Sequence, residues 1–208
     1  EATADRLIEK LIPRGESLKI GPYTGGNDVD FGPVITRAAQ KRILDLVESG
    51  VRAGAALKVD GRGFRMQGYE DGFFVGACLF DRVTPDMDIY REEIFGPVLS
   101  TVRAASYQDA IDLTMNNPYG NGTAIYTRDG DTARDFASRI NVGMGGVNVP
   151  IPVPLAYHTF GGWKKSGFGD LNQHGPDAFR FYTRTKTVTA RWPSGTKEGA
   201  AFSIPTME

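Results

Sequence analysis

Two adjacent carboxylates followed by an aromatic and a turn, Glu92-Glu93-Ile94-Phe95-Gly96-Pro97-Val98, form the stretch best equipped for chemistry. A carboxylate can accept two hydrogen bonds from the hydroxyls of a ribose, and a neighbouring aromatic face can pack on a flat ring. Proline fixes φ and lacks an N–H, so Gly96-Pro97 marks a turn, with residues 98–102 as the strand behind it. The carboxylates and Phe95 therefore sit on irregular backbone at the mouth of a strand, where a rigid scaffold often holds binding groups. The competing reading is a solvated Glu pair ahead of a core phenylalanine, because exposed acids are the rule.

Other residues with reactive side chains carry weaker signals. Cys78, the one cysteine, lies in an apolar run with no His nearby in sequence and no cation beside it to favour the thiolate, so it reads as a small core residue. His158 and His174 are acid–base candidates by residue type, but neither has a thiol or a placeable carboxylate beside it in sequence. Both read as loop or surface hydrogen-bonding groups. Gly161-Gly162-Trp163-Lys164-Lys165-Ser166 is glycine-rich and basic but lacks the G-x-x-x-x-G-K-[ST] spacing of a phosphate loop. One cysteine and two histidines make a structural zinc site improbable, and no metal site is assigned.

The elements that position these residues follow from hydrophobic periodicity. Leu7, Ile8, Leu11 and Ile12 give residues 4–12 a helical spacing closed by Pro13. Residues 18–20 suggest a short strand. Thr36 caps a helix whose Ile43, Val47 and Val51 recur at i, i+4, i+8, with Gly54 at its end. Residues 56–59 read as a strand, and residues 73–80 as a strand buried on both faces. Ser106 caps a further helix that Asn116-Asn117-Pro118 stops, and residues 122–126 follow as a strand. Asp131 caps a helix with Ala133, Phe136, Ala137 and Ile140 in register, and residues 145–149 form another short strand. Strands alternating with helices of about ten residues define an α/β class: an open, mostly parallel sheet with flanking helices.

Beyond Pro150 the texture changes. Pro150, Pro152 and Pro154 remove donors that a sheet interior needs. Residues 177–181 suggest a short helical turn. Residues 182–192 alternate and are rich in β-branched side chains, reading as a long edge strand that must find its partner elsewhere. Its Arg184, Lys186 and Arg191 read as a solvated edge, and residues 194–208 as a tail.

The bulk composition narrows the function classes. The chain has 208 residues, 40% hydrophobic and 24% charged, with a net charge of −1. That balance gives no reason to expect nucleic acid or an anionic membrane as partner. No apolar run approaches the ~18 residues that span a bilayer. The single cysteine excludes an internal disulfide framework and fits a reducing compartment. The opening Glu1-Ala2-Thr3-Ala4 has neither an initiating Met nor signal-peptide character, so the chain is expected to start within a longer protein.

Glu92-Glu93-Ile94-Phe95-Gly96-Pro97-Val98 resembles a signature of the aldehyde dehydrogenase superfamily. The resemblance implies that Glu93 binds the nicotinamide ribose of NAD and that Phe95 borders the nicotinamide. It also makes Phe160 a candidate aromatic of the substrate tunnel, with plain core packing as the alternative. The stretches from Asn116 to Ile125, Gly146 to Pro154, Phe160 to Lys164 and Gly169 to Gly175 resemble the methylmalonate-semialdehyde dehydrogenases, the CoA-acylating branch. In that branch a cysteine thiolate attacks the aldehyde, hydride passes to NAD, and the thioester is transferred to CoA with loss of carbon dioxide.

The motif that carries the nucleophile, and the dinucleotide glycine loop, are not found in these residues, so no catalytic residue is assigned. By resemblance, residues 1–160 are the C-terminal portion of the catalytic domain and residues 161–181 a glycine-rich loop and connecting segment. Residues 182–193 are an oligomerisation β-arm that extends a neighbour's sheet, giving a homo-oligomer, dimer or tetramer. The implied location is cytoplasmic, or the mitochondrial matrix in a eukaryote. A non-catalytic assembly module and a hydrolytic dehydrogenase of another branch are the competing functions.

Overall fold

The i, i+4 recurrence of Ile43 and Val47 builds the helix around which the first core forms. In the computed structural model, which describes residues 2–26 and 28–190, that helix is α2, Arg37–Arg52, following α1, Ala2–Glu16. Thr36 caps α2 as expected, its hydroxyl accepting from the Ala39 N–H at 3.1 Å, and Gly54 leaves the helix end at a φ of 92°. Ile43, Leu46 and Val47 are buried against Val75, Phe80, Met87, Ile89 and Ile94 in one apolar cluster.

The chain divides into two units, Glu1–Asp112 and Leu113–Glu208. In the first, β1 (Ala56–Val59), β2 (Cys78–Asp81) and, after the single turn α3 (Asp88–Arg91), β3 (Val98–Ser100) form a sheet with β2 in the centre. β2 pairs antiparallel with β1 and parallel with β3, with Cys78 opposite Val98 and Phe80 opposite Ser100. All four residues of β2 are buried, as its apolar sequence requires. α1 packs on β1 and β2. Arg103 fastens this layer: its guanidinium donates to both oxygens of the buried Asp81 at 2.9 and 2.7 Å and reaches Asp5 of α1 at 2.7 Å.

Helix α4, Tyr107–Asn116, is capped by Ser106, whose hydroxyl accepts from the Asp109 N–H at 3.1 Å. In the second unit follow β4 (Tyr119–Gly120), β5 (Gly122–Ile125), α5 (Gly130–Arg139), β6 (Met144–Val147), β7 (Trp163–Lys164) and α6 (Ala178–Tyr182). β5 and β6 run parallel across α5, and β4 pairs antiparallel with β7. Helices alternating with strands, and parallel pairing in both units, bear out the α/β class.

Several boundaries differ from the sequence expectation, each for a physical reason. Pro13 lies inside α1 rather than closing it, and its carbonyl still accepts from Ser17 N at 3.1 Å. Of residues 73–80 only the last three are strand. Phe73 and Gly76 spend their backbone groups on Val34 and Gly61 instead. The crossing of Gly61 over Gly76 is so close that a Cβ on Gly61 would lie 2.2 Å from the Gly76 carbonyl carbon. Residues 18–20 contribute one bridge, Ile20 to Phe31, and no strand. Asp129, not Asp131, caps α5, accepting from the Thr132 N–H at 2.6 Å. Among the described residues, 183–190 make no ladder. The remainder of the expected arm, residues 191–193, and the tail, residues 194–208, lie outside the described residues.

Candidate functional site

The loop from Glu92 to Pro97 connects α3 to β3 and is held from three directions. Glu92 ends α3, its N–H donating to the Asp88 carbonyl at 2.8 Å. Ile94 is buried in the apolar cluster beneath. At the far end Val98 N–H donates back to the Gly96 carbonyl at 2.7 Å, closing a three-residue turn around Pro97, and the Pro97 carbonyl accepts from Cys78 N–H at 2.9 Å. The expected turn at Gly96-Pro97 is therefore present, and the strand behind it, expected over residues 98–102, is confined to residues 98–100.

Between these anchors Phe95 is in the left-handed region, at a φ of 55°, and its side chain is 82% exposed. A bulky residue in that region stores strain that the surroundings must hold. Glu93 is likewise exposed. A core-seeking phenylalanine would be buried. This one is turned out of the apolar cluster that takes its neighbour Ile94, and the plain core reading of Phe95 does not hold.

Helix α2 supplies the counterweight. The Arg42 guanidinium donates to the carbonyl oxygens of both Glu93 and Ile94, the latter at 2.9 Å. Its sequence neighbour Ile43 meets Gly96 so closely that no side chain fits there. Arg42 escaped the sequence reading because it resembles any solvated charge on an amphipathic helix. Its position directly before the core residue Ile43 was the available signal.

Elsewhere in the first unit, Cys78 is 3% exposed. Its sulfur accepts from the Gly61 N–H at 3.3 Å, and burial pushes the thiol up from its ordinary pKa, against the opposing effect of that hydrogen bond. That is the environment of a structural cysteine, as expected. Asp81 has its carboxyl held down at about 2 by the Arg103 hydrogen bonds, a structural ion pair at the end of β2.

In the second unit the glycine-rich loop is sewn to the α4–β4 junction. Lys164 Nζ donates to the carbonyls of Thr114, Met115 and Asn117 at 3.3, 2.8 and 3.0 Å, so this cation completes the C-terminal end of α4. Ser166 Oγ accepts from Gly120 N–H at 3.1 Å. The rejected phosphate-loop reading thus gains a positive alternative. The loop borders a cavity of about 610 Å³ lined by Asn141, Thr159, Asp170 and Asn172 among others. Phe160 is half-buried, and its ring lies against His174 with centroids 4.4 Å apart. His158 packs on Tyr157 at 4.8 Å. Among the described residues no group of three or more His, Cys, Asp or Glu could hold a metal, and no helix is long and apolar enough to cross a membrane.

The sequence profile of the aldehyde dehydrogenase family matches residues 1–188, and the chain belongs to that family. Within it, the chain is 54% identical over 208 residues to the malonate-semialdehyde dehydrogenase of Pseudomonas aeruginosa, covering 100% of this chain and 42% of that protein. It is 48% identical to a Drosophila melanogaster protein described as an acylating, mitochondrial methylmalonate-semialdehyde/malonate-semialdehyde dehydrogenase, covering 99% of this chain and 40% of the other. A crystal structure described as a methylmalonate-semialdehyde dehydrogenase from Sinorhizobium meliloti, complexed with NAD, superposes with a TM-score of 0.88 at 68% identity, over 95% of this chain and 40% of that one. The chain thus spans about two fifths of the length of the relatives it matches.

Proposed function

We propose that this chain is the C-terminal part of an NAD-dependent, CoA-acylating semialdehyde dehydrogenase, and that Glu93 and Phe95 form its contribution to the nicotinamide end of the cofactor site. The observation that carries this reading is the loop itself. A carboxylate and an aromatic ring, two residues apart, are both exposed while Ile94 between them is buried and the backbone is clamped by α2. Exposed carboxylate oxygens fit the paired hydroxyls of a ribose, and an exposed phenyl face fits a flat heterocycle. The NAD held by the Sinorhizobium structure and the acylating description of the Drosophila relative support the same reading.

NAD, when bound, supplies the hydride acceptor. The work of this chain is placement: Glu93 accepts from the ribose hydroxyls and Phe95 limits the travel of the ring, so that one face is offered to the substrate. The thiolate and the dinucleotide loop come from polypeptide outside these residues, so the isolated chain is expected to turn over no aldehyde. Phe160 is a wall of the substrate tunnel, reached by small aldehydes and backed by His174. Residues 182–193 act as the assembly arm that adds to a neighbouring sheet edge in a homo-oligomer, and the exposed, unladdered backbone of residues 183–190 favours that role. The location that follows is cytoplasmic, or the mitochondrial matrix in a eukaryote.

Glu93→Gln in the complete enzyme tests the reading. It keeps the shape and one acceptor but removes the charge, and the KM for NAD should rise about tenfold, the effect of one charge-assisted hydrogen bond. Unchanged NAD kinetics would remove Glu93 from the site. The product separates the branches: an acyl-CoA ester supports the acylating reading, and a free acid formed without CoA supports the hydrolytic one. Aldehyde turnover by the 208-residue chain alone would refute its dependence on further polypeptide.

A further inference from the structure

The clamp on the Glu93 loop has a functional consequence that the carboxylate alone does not explain. We infer that Arg42 is a positioning residue for the cofactor site, fixing the peptide that carries Glu93 and Phe95. The inference rests on the proposed role of Glu93.

The geometry is specific. One guanidinium donates to two successive carbonyl oxygens, those of Glu93 and Ile94. Two nitrogens of a rigid planar fork thereby fix the orientation of consecutive peptide planes, which a single donor on a flexible stem cannot do. The peptides so fixed lie immediately before Phe95, whose φ of 55° is the strained point of the loop. Relaxation of that torsion would swing the phenyl ring and carry Glu93 with it. Arg42 resists the swing from the N-terminal side. Ile43, the next residue of the same helix, resists it from the C-terminal side through its close approach to Gly96. Residues 42 and 43 thus hold residues 93, 94 and 96, and a strained conformation is kept by neighbours that over-determine it.

Arg42 itself reaches the loop backbone rather than any exposed part of the ring or carboxylate, so it acts through the loop. Holding a carboxylate in place before the ligand arrives removes an ordering cost from binding. The effect of Arg42 should therefore appear chiefly in the affinity for NAD. It should also vanish when the Glu93 carboxylate is no longer there to be positioned.

A double-mutant cycle in the complete enzyme tests this. Arg42→Met keeps the aliphatic stem and removes both donors, and should raise the KM for NAD about tenfold, with kcat changed by less than about threefold. Arg42→Lys, which retains the charge and can satisfy one carbonyl, should fall between Met and the parent and guards against a Met variant that folds poorly. The decisive readout is coupling to Glu93→Gln: in the double variant the NAD effect should stay close to that of Glu93→Gln alone. Effects that multiply would show that Arg42 acts on stability or elsewhere, and would overturn the inference. So would an Arg42→Met KM within about twofold of the parent when Glu93→Gln has raised it. If Glu93→Gln itself changes nothing, the role of Glu93 fails first and the positioning role falls with it.

Discussion

Ile43 leaves no room for a side chain at residue 96: a Cβ on Gly96 would lie 2.7 Å from Ile43 Cδ1 and 3.0 Å from its Cγ1. Ile43 is 1% exposed, locked in the centre of the first core, and cannot step aside cheaply. Gly96→Ala should therefore push the loop off α2, costing about 1–3 kcal/mol of stability and raising the KM for NAD in the complete enzyme. Denaturant unfolding and initial-rate kinetics read the two effects. A variant with parental stability and parental KM would show that the loop does not depend on this contact.

The helix that makes this contact was legible in the sequence, and the contact was not. Thr36, the Ile43–Val47 spacing and Gly54 are local signals, and each does in the structure what its chemistry implies. The clamp joins residues 51 positions apart, and nothing in a local pattern connects them. The apolar run at residues 73–80 misled for a related reason. Hydrophobicity reported burial correctly, but glycines at 61 and 76 let two backbones cross, and this took the ladder away from its first half. Two aspartates flank Gly130, and both have the side chain of a cap. Only the geometry of the turn selects Asp129. The left-handed torsion at Phe95 has no sequence signature, since the residue type argues against it.

Asp81 and Arg103 should give the first unit a measurable acid sensitivity. Asp81 is 2% exposed, and the Arg103 hydrogen bonds lower its carboxyl from 3.8 to about 2 in the folded chain. Because the folded value lies below the unfolded one, the stabilisation is complete above about pH 4 and is lost as pH falls toward about 2. Asp81→Asn should cost about 3 kcal/mol near neutrality, the penalty for breaking a buried pair. That difference from the parent should shrink in acid. Urea unfolding of both proteins across this range measures it, and a difference independent of pH would contradict the assignment.

Lys164 is expected to behave as a helix cap and not as an anion ligand. Lys164→Met removes the donor to three carbonyls at the end of α4 and should lower stability by about 1–2 kcal/mol. Inorganic phosphate should give no protection to either protein in a thermal melt. Phosphate-dependent stabilisation of the parent, lost in the variant, would restore the anion-binding reading of the loop.

Cys78 should be inert in the folded chain. Its burial and raised pKa leave little thiolate at neutral pH and no access for a reagent. Labelling by a thiol-specific disulfide reagent should proceed only on unfolding, with a rate that follows denaturant concentration. Rapid labelling of the native protein would make Cys78 a reactive group after all.

The most direct measurement on the central claim is a crystal structure of the complete enzyme with NAD bound. Glu93 should place its carboxylate oxygens about 2.6–3.2 Å from the hydroxyls of the nicotinamide ribose, with the Phe95 ring along the nicotinamide and the Arg42 clamp intact. A cofactor whose ribose is held by other groups, with Glu93 and Phe95 facing solvent on unrelated sides, would contradict it.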